Sequence, residues 1–309
     1  MPNWSDVLTE IQRERDAATA HAAQAVDAIR RKYLAQLHQY TQRNVIAYYS
    51  GFLSKPDILQ ADINDEDKNG FMMAVHKLDR AKGLDLILHT PGGSIAATQS
   101  IVDYLHQMFG NDIRAIVPQI AMSAGTMMAC SCKSIIMAKH SNLGPTDPHL
   151  SGVPAAGVTE EFRRACREVK ADPSKTAIWQ AIISQYRPTF LSQCENAMKW
   201  SKGFVRSQLA SVMFEGERNA TRKADKVVAT LTDYRGNKTH DRHIHYDECV
   251  KMGLKVTLLE DDPKLQDLVL TVHHCFMHSL MNTPSFKMIE NHLGTALVKR
   301  QAQVLVRQQ

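Results

Sequence analysis

The sequence predicts an α/β protein built on a parallel sheet with helical crossovers. Three short aliphatic runs carry this expectation: Leu84-Asp85-Leu86-Ile87-Leu88, residues 113–117 and residues 134–138, each a strand of buried type. Between them lie segments of helical spacing, residues 95–109 with apolar positions at 95, 101, 102, 105 and 109, and the small-residue run 123–132. Strand, turn and helix in repeating order is the pattern of a sheet whose parallel strands are joined across its faces. A chain of 309 residues with 44% hydrophobic and 22% charged residues is also large enough to bury a sizeable core.

Taken in order, residues 4–40 read as one long helix, since Trp4, Leu8, Ile11, Ala18, Ala22, Ala25, Ile29 and Tyr33 recur in steps of three and four, broken at Arg15. The stripe is narrow and Ala-rich, which suits packing on a partner helix, on another subunit or back on its own domain. Residues 44–52 are rich in Val, Ile and Tyr and read as a strand; 62–67 is an acidic loop; 71–79 has helical spacing closed by Lys82-Gly83. Residues 155–230 are mostly helical in pattern, punctuated by Pro173, Pro188 and Gly203, and 247–251 reads as a short helix closed by Gly253. Residues 265–280 and 286–306 read as two last helices. The domain organisation expected is an N-terminal helical arm over 1–40, an α/β domain over 41–260, and a helical C-terminal extension over 261–309.

The net charge of +5 is scattered along the chain and no nucleic-acid-binding signature accompanies it, so nucleic acid is not expected as a partner. The start, Met-Pro-Asn-Trp-Ser-Asp, lacks the basic and apolar regions of a secretory signal, and no run approaches the roughly 20 apolar residues of a transmembrane helix. A cytoplasmic protein is expected, with its six cysteines reduced and mostly in the core. His240, His243 and His245 form one histidine cluster, and His273, His274, Cys275 and His278 another. His274 and His278 stand at i, i+4, but the glutamate of H-E-x-x-H is missing, so neither a metal nor another cofactor is expected and partly exposed helix histidines are the plainer reading. The segment 287–309, with Met288, Ile289, Leu293, Leu297, Val304 and Leu305 among Lys299, Arg300 and Arg307, suits a helix packing on its own protein, a neighbouring subunit, a partner or a membrane surface.

Two turns carry chemistry, and each stands where a strand passes into a helix, the place where open parallel sheets put their sites. Thr90-Pro91-Gly92-Gly93-Ser94 has two glycines that let backbone N–H groups face outward at a helix N-terminus, which suits a developing oxyanion. It matches neither G-x-G-x-x-G nor a P-loop; the bland alternative is a tight turn. Ile120-Ala121-Met122-Ser123-Ala124-Gly125-Thr126 sets a serine among small residues as a nucleophile elbow would, although Ala121 replaces the first glycine of G-x-S-x-G. Alone, Ser123 would more often be a helix N-cap. The pairing with Gly92 and Gly93 shifts the balance to a nucleophile.

These segments, Leu86-Ile87-Leu88-His89-Thr90-Pro91-Gly92-Gly93-Ser94, Met122-Ser123-Ala124-Gly125-Thr126 and Leu143-Gly144-Pro145-Thr146-Asp147-Pro148, resemble the serine dehydrogenase proteinase family. That family is similar to signal peptide peptidase A and the Clp protease proteolytic subunit, on the Clp protease/crotonase-like fold. The likeness runs from Arg43-Asn44-Val45-Ile46-Ala47-Tyr48-Tyr49-Ser50 to Thr239-His240 and Gly253-Leu254. It implies Ser123 as nucleophile and the N–H groups of Gly93 and Ala124 as oxyanion hole, with Gly92 shaping the turn.

Three arrangements of the general base stay open: His240 oriented by Asp147, which is favoured; His149 oriented by Asp241; or a lysine among Lys133, Lys139 and Lys170. Asp147 could instead be an Asx turn, and His240 could lie on an exposed strand. The function expected is a serine endopeptidase acting on polypeptide in a homo-oligomer, with the terminal helices available to a partner protein. A non-catalytic assembly protein and a crotonase-type acyl-CoA enzyme are the alternatives.

Overall fold

A computed structural model describes residues 4–17, 22–237 and 239–301. In place of one N-terminal helix there are two, α1 (Trp4–Ala17) and α2 (Ala22–Thr41). Both pack inward onto the same chain, and Val7, Ile11, Val26, Ile29 and Cys275 close into one cluster.

The chain continues through β1 (Asn44–Ser50), α3 (Asp67–Val75), β2 (Leu84–His89), α4 (Ile95–Phe109), β3 (Ile113–Val117), β4 (Ile120–Ala121), α5 (Ala124–Cys130), β5 (Ser134–Met137) and β6 (Asn142–Leu143). The first turn of α3 precedes the expected 71–79 because Asp67 is drawn inward, accepting from the Tyr48 hydroxyl at 2.8 Å. A two-stranded hairpin, β7 (His149–Leu150) and β8 (Val153–Pro154), leads into the helices α6 (Ala155–Ala171), α7 (Thr176–Ile183), α8 (Phe190–Gln208), α9 (Ala220–Leu231) and α10 (Tyr234–Asn237). The last elements are β9 (Ile244–His245), α11 (Tyr246–Met252), β10 (Val256–Leu258), α12 (Pro263–Asn282), β11 (Ser285–Asn291) and β12 (Ala296–Arg300).

The main sheet has seven strands in the order β10-β5-β3-β2-β1-β11-β12. From β10 to β1 the pairings are parallel; β11 pairs antiparallel with β1, and β12 with β11. Strand residues alternate strictly between two cores. Ile46, Tyr48, Leu84, Leu86, Leu88, Ala115, Val117, Ile135 and Met137 face the core shared with α3, α4, α5, α8 and α9. Val45, Ala47, Tyr49, Ile87, Ile116 and Ile136 face the core shared with α2 and α12. Burial on both faces is why these strands read as unbroken apolar runs in the sequence.

The helix expected over 286–306 is instead the β11–β12 hairpin, which follows α12 and extends the main sheet beside β1. All seven residues of β11 are buried, Lys287 and Glu290 included, which a half-exposed helix would not allow. Val304, Leu305 and Arg307 lie outside the described residues. On α12, His273 and His278 are buried at 8% and 2% exposure instead of partly exposed; His278 packs tilted against Trp4 with ring centroids 3.9 Å apart. Of the six free cysteines only Cys166 is exposed. Among the described residues no helix is long and apolar enough to cross a membrane.

Candidate active site

A second, small sheet assembles the site. Its order is β4-β6-β9, with β4 and β6 parallel and β9 antiparallel to β6, and Ala121, Leu143 and Ile244 stand in one row across it. Parallel strands share the end at which they finish, and an antiparallel strand begins at that same end. Ser123 follows β4, Asp147 follows β6 and His240 precedes β9, so all three emerge at one edge although far apart in sequence. None of these strands is longer than three residues, which is too short for a period-two pattern to register.

The two sequence-predicted turns meet there. The end of β2 is zipped to β4: Thr90 N–H donates to Ile120 C=O at 3.2 Å, and Met122 N–H to Thr90 C=O at 3.0 Å. Ser123 then turns into α5 with φ 50° and ψ −114°, a left-handed conformation that costs a non-glycine residue of order 1–3 kcal/mol. The turn is held by Gly125 N–H donating to Met122 C=O at 2.7 Å and by the Thr126 hydroxyl donating to Ala121 C=O at 2.8 Å. Ala124 is the first residue of α5, so its N–H has no acceptor four residues back within the helix and faces outward with the positive end of the dipole.

Gly92 packs directly on this elbow: a Cβ at Gly92 would sit 2.7 Å from Ser123 Cβ and 3.0 Å from Ala124 N. Gly93 is clasped on its other side by Ile63, whose N–H donates to Gly92 C=O at 2.7 Å and whose C=O accepts from Ser94 N–H at 2.9 Å. The Gly93 N–H donates to no acceptor among the described residues. Ser94 caps α4, its hydroxyl accepting from Ala97 N–H at 3.2 Å. Ile63 holds the turn through its backbone while its side chain packs in the core, so nothing in the side chain could have announced this part.

Asp147 is 4% exposed and His240 Nδ1 lies 2.9 Å from its Oδ1. The loop bearing Asp147 is pinned from below: Thr146 N–H donates to Leu231 C=O at 2.9 Å, and the buried Ser201 hydroxyl donates to Thr146 C=O at 2.6 Å. Burial alone would raise the Asp147 carboxyl, but the hydrogen bond and charge of His240 outweigh it and hold it below the ordinary carboxylate range. His149, on β7, stands beside the pair, Nε2 3.6 Å from Asp147 Oδ2 and ring centroid 4.2 Å from that of His240. Burial and the neighbouring His240 push the His149 imidazole down, against the upward pull of Asp147 and Asp241.

Ser123, Gly92, Gly93, His149 and His240 all line one cavity of about 560 Å³, whose apolar wall includes Ile95, Met127, Leu150 and Trp200. Of the three arrangements for the base, the geometry brings His240 and Asp147 together. Asp241 is exposed, and the carboxylate His149 contacts is Asp147 instead. Among the described residues no lysine lines the cavity: Lys133 pairs with Asp112, Lys139 lines a different pocket beside His245, and Lys170 lies in the last turn of α6.

A family model described as ClpP-like SDH-type serine proteinase matches residues 18–289, most of the chain. Two uncharacterized proteins of Methanocaldococcus jannaschii, MJ0137 and MJ1495, are 30% and 28% identical over 194 residues, 63% of this chain. The matches cover 60% and 59% of those relatives, so the chain spans less than two thirds of their length. A solved mutant form of 1510-N, a membrane-bound stomatin-specific protease, aligns at 19% identity and a TM-score of 0.36, over 63% of this chain and 74% of that one; a likeness so slight carries no argument. The family match agrees with the mixed α/β fold. By that match the chain belongs to the ClpP-like SDH-type serine proteinases.

Proposed function

We propose that the chain is a serine endopeptidase that cleaves polypeptide through an acyl-enzyme on Ser123. One observation carries the reading: a strained serine at a helix N-terminus opens on the same cavity as a histidine bonded to a buried carboxylate. Asp147 accepts the Nδ1–H of His240, which fixes the tautomer and leaves Nε2 as the base. His240 takes the Ser123 proton as Oγ attacks the scissile carbonyl, and the C–O bond forms while the carbonyl electrons move onto oxygen. The Gly93 and Ala124 N–H groups hold that oxyanion. His240 then gives its proton to the leaving amine as the C–N bond breaks, and water repeats the sequence to release the acid.

The cavity's apolar wall of Ile95, Met127, Leu150 and Trp200 offers a side-chain site beside the nucleophile. The working form under this reading is a homo-oligomer, which light scattering of the purified chain would test. A fluorophosphonate probe tests the chemistry. The wild-type chain should be labelled once, at Ser123, with Ser123→Ala unlabelled and His240→Ala at least about a hundredfold slower, as for loss of a general base. Acyl-CoA turnover that survives Ser123→Ala would overturn the assignment.

A further inference from the structure

We propose that Asp147, His149 and His240 form a zinc site whose occupancy silences Ser123. The inhibitory half rests on the serine-nucleophile reading above; the binding half does not. Neither histidine cluster visible in the sequence makes this site. Among the described residues, Asp147, His149 and His240 are the group of three whose donor atoms all lie within 4.8 Å of one another.

Two imidazoles and one carboxylate are a donor set that suits zinc, whereas magnesium and calcium favour oxygen ligands. Tetrahedral zinc with bonds of about 2.0–2.1 Å holds its donors roughly 3.3 Å apart. The separations here, 2.9 Å from Asp147 Oδ1 to His240 Nδ1 and 3.6 Å from Asp147 Oδ2 to His149 Nε2, fall on either side of that value.

The scaffold favours such a site for reasons separate from catalysis. Asp147 and His149 are two residues apart, and both side chains converge on His240. The segment is fixed at Thr146 by Ser201 and Leu231, and again beyond His149 by the β7–β8 pairing. A base oriented by one carboxylate has no need of a second imidazole against that carboxylate, yet His149 is there, with its side chain 30% exposed toward solvent. Three protein ligands leave a fourth position, and His149 and His240 both line the cavity that holds Ser123. Zinc on His240 occupies either the nitrogen bonded to Asp147 or the lone pair meant for the serine proton. In both cases the imidazole cannot act as base.

The test uses the full chain and zinc alone, with affinity read by competition against a chromophoric chelator and fold checked by circular dichroism. Wild type and Ser123→Ala should bind one zinc per chain alike. His149→Ala and the bulkier His149→Gln should bind at least about tenfold more weakly, the lower end of what even an outer-shell loss costs. Zinc should block fluorophosphonate labelling of wild type, with chelator restoring it, and should leave any labelling of His149→Gln unaffected at the same concentration. Equal zinc affinity in wild type and both His149 variants would overturn the site. Binding through His149 with labelling unslowed, or activity raised by zinc, would overturn the silencing. If metal-free wild type is not labelled at all, the nucleophile reading falls, and the affinity comparison alone decides the site, for or against.

Discussion

Replacing Gly93 by alanine should remove activity while leaving the fold largely intact. Its φ of +152° already disfavours a side chain, and a Cβ there would lie 2.3 Å from Ile63 N and 2.4 Å from Ile63 O, both backbone atoms. Ordinary contact needs about 3.5 Å, so the turn or the loop at Ile63 must move by roughly an ångström. That displacement threatens the bonds from Ile63 N–H to Gly92 C=O and from Ser94 N–H to Ile63 C=O. At about 0.5–1.5 kcal/mol each they amount to a modest stability loss, a few degrees in Tm for a chain of this size. The catalytic loss is larger in consequence. An oxyanion donor moved by an ångström is in effect removed, which is worth about 10²–10³ in rate. The assay is the fluorophosphonate labelling rate of Gly93→Ala beside its melting curve. Gly110→Ala is the control, since Gly110 has φ +60° with nothing within 4 Å of its Cβ position: it should melt slightly lower and label at the wild-type rate. Wild-type labelling of Gly93→Ala would refute both the close approach and the role given to its N–H.

Ser123→Gly should melt higher than Ser123→Ala, by the roughly 1–2 kcal/mol that a left-handed conformation costs a residue with a Cβ, and both should be inactive. Equal melting points would mean that the elbow is not strained. Asp147→Asn should keep the fold but label about 10⁴-fold more slowly, because an amide can hold His240 in the wrong tautomer; a loss below tenfold would count against Asp147 as the orienting group. His292, stacked on His38 at 3.8 Å, has its imidazole pushed down to about 4 by burial and by His38. The unfolded chain therefore binds a proton between about pH 6.5 and 4 that the folded chain refuses, so its contribution is present above pH 6.5 and is lost as the pH falls toward 4. Urea titrations of wild type against His292→Gln should show the steeper acid slope in wild type, by up to about 1.4 kcal/mol per pH unit.

What was legible in the sequence follows the length of the signal. The strand over 84–88 and the helix over 95–109 each carry enough apolar positions to fix their period, and the structure has β2 over Leu84–His89 and α4 over Ile95–Phe109. Gly92, Gly93 and Ser123 were visible because each answers to a backbone demand at a turn: positive φ at all three, and contact between Gly92 and the serine itself. The sheet β4-β6-β9 was not visible, because two-residue strands have no periodicity to read. The order of elements therefore could not say whether His240 or His149 would meet Asp147. The structure sets both beside it, which no single pairing inferred from the sequence had allowed.

The C-terminal hairpin was hidden for a different reason. Lys287 and Glu290 interrupt what would otherwise read as an apolar strand, and charged residues at that spacing suggest the wet face of a helix. Both are buried because each has found partners from far away in the chain. Lys287 Nζ lies 2.9 Å from Asp67 Oδ2, and Glu290 takes Arg30 through its Oε2 and Arg31 through its Oε1, the latter at 3.0 Å. Arg30 has no exposed side-chain surface and also reaches Asp27 and the Ser279 hydroxyl, each at 2.8 Å, so α2, α12 and β11 are joined through one guanidinium. Glu290→Gln leaves that cation with Asp27 as its remaining carboxylate and should cost about 1.5–3 kcal/mol in chemical denaturation, the worth of a hydrogen bond to a charged group. Replacing both Arg30 and Glu290 with methionine removes the two desolvated charges together, and the pair often breaks even with apolar groups of similar volume. The double variant should then recover most of what Glu290→Gln loses. If Glu290→Gln costs less than about 1 kcal/mol, the pair behaves as a surface salt bridge, and α2 does not cover β11 as described.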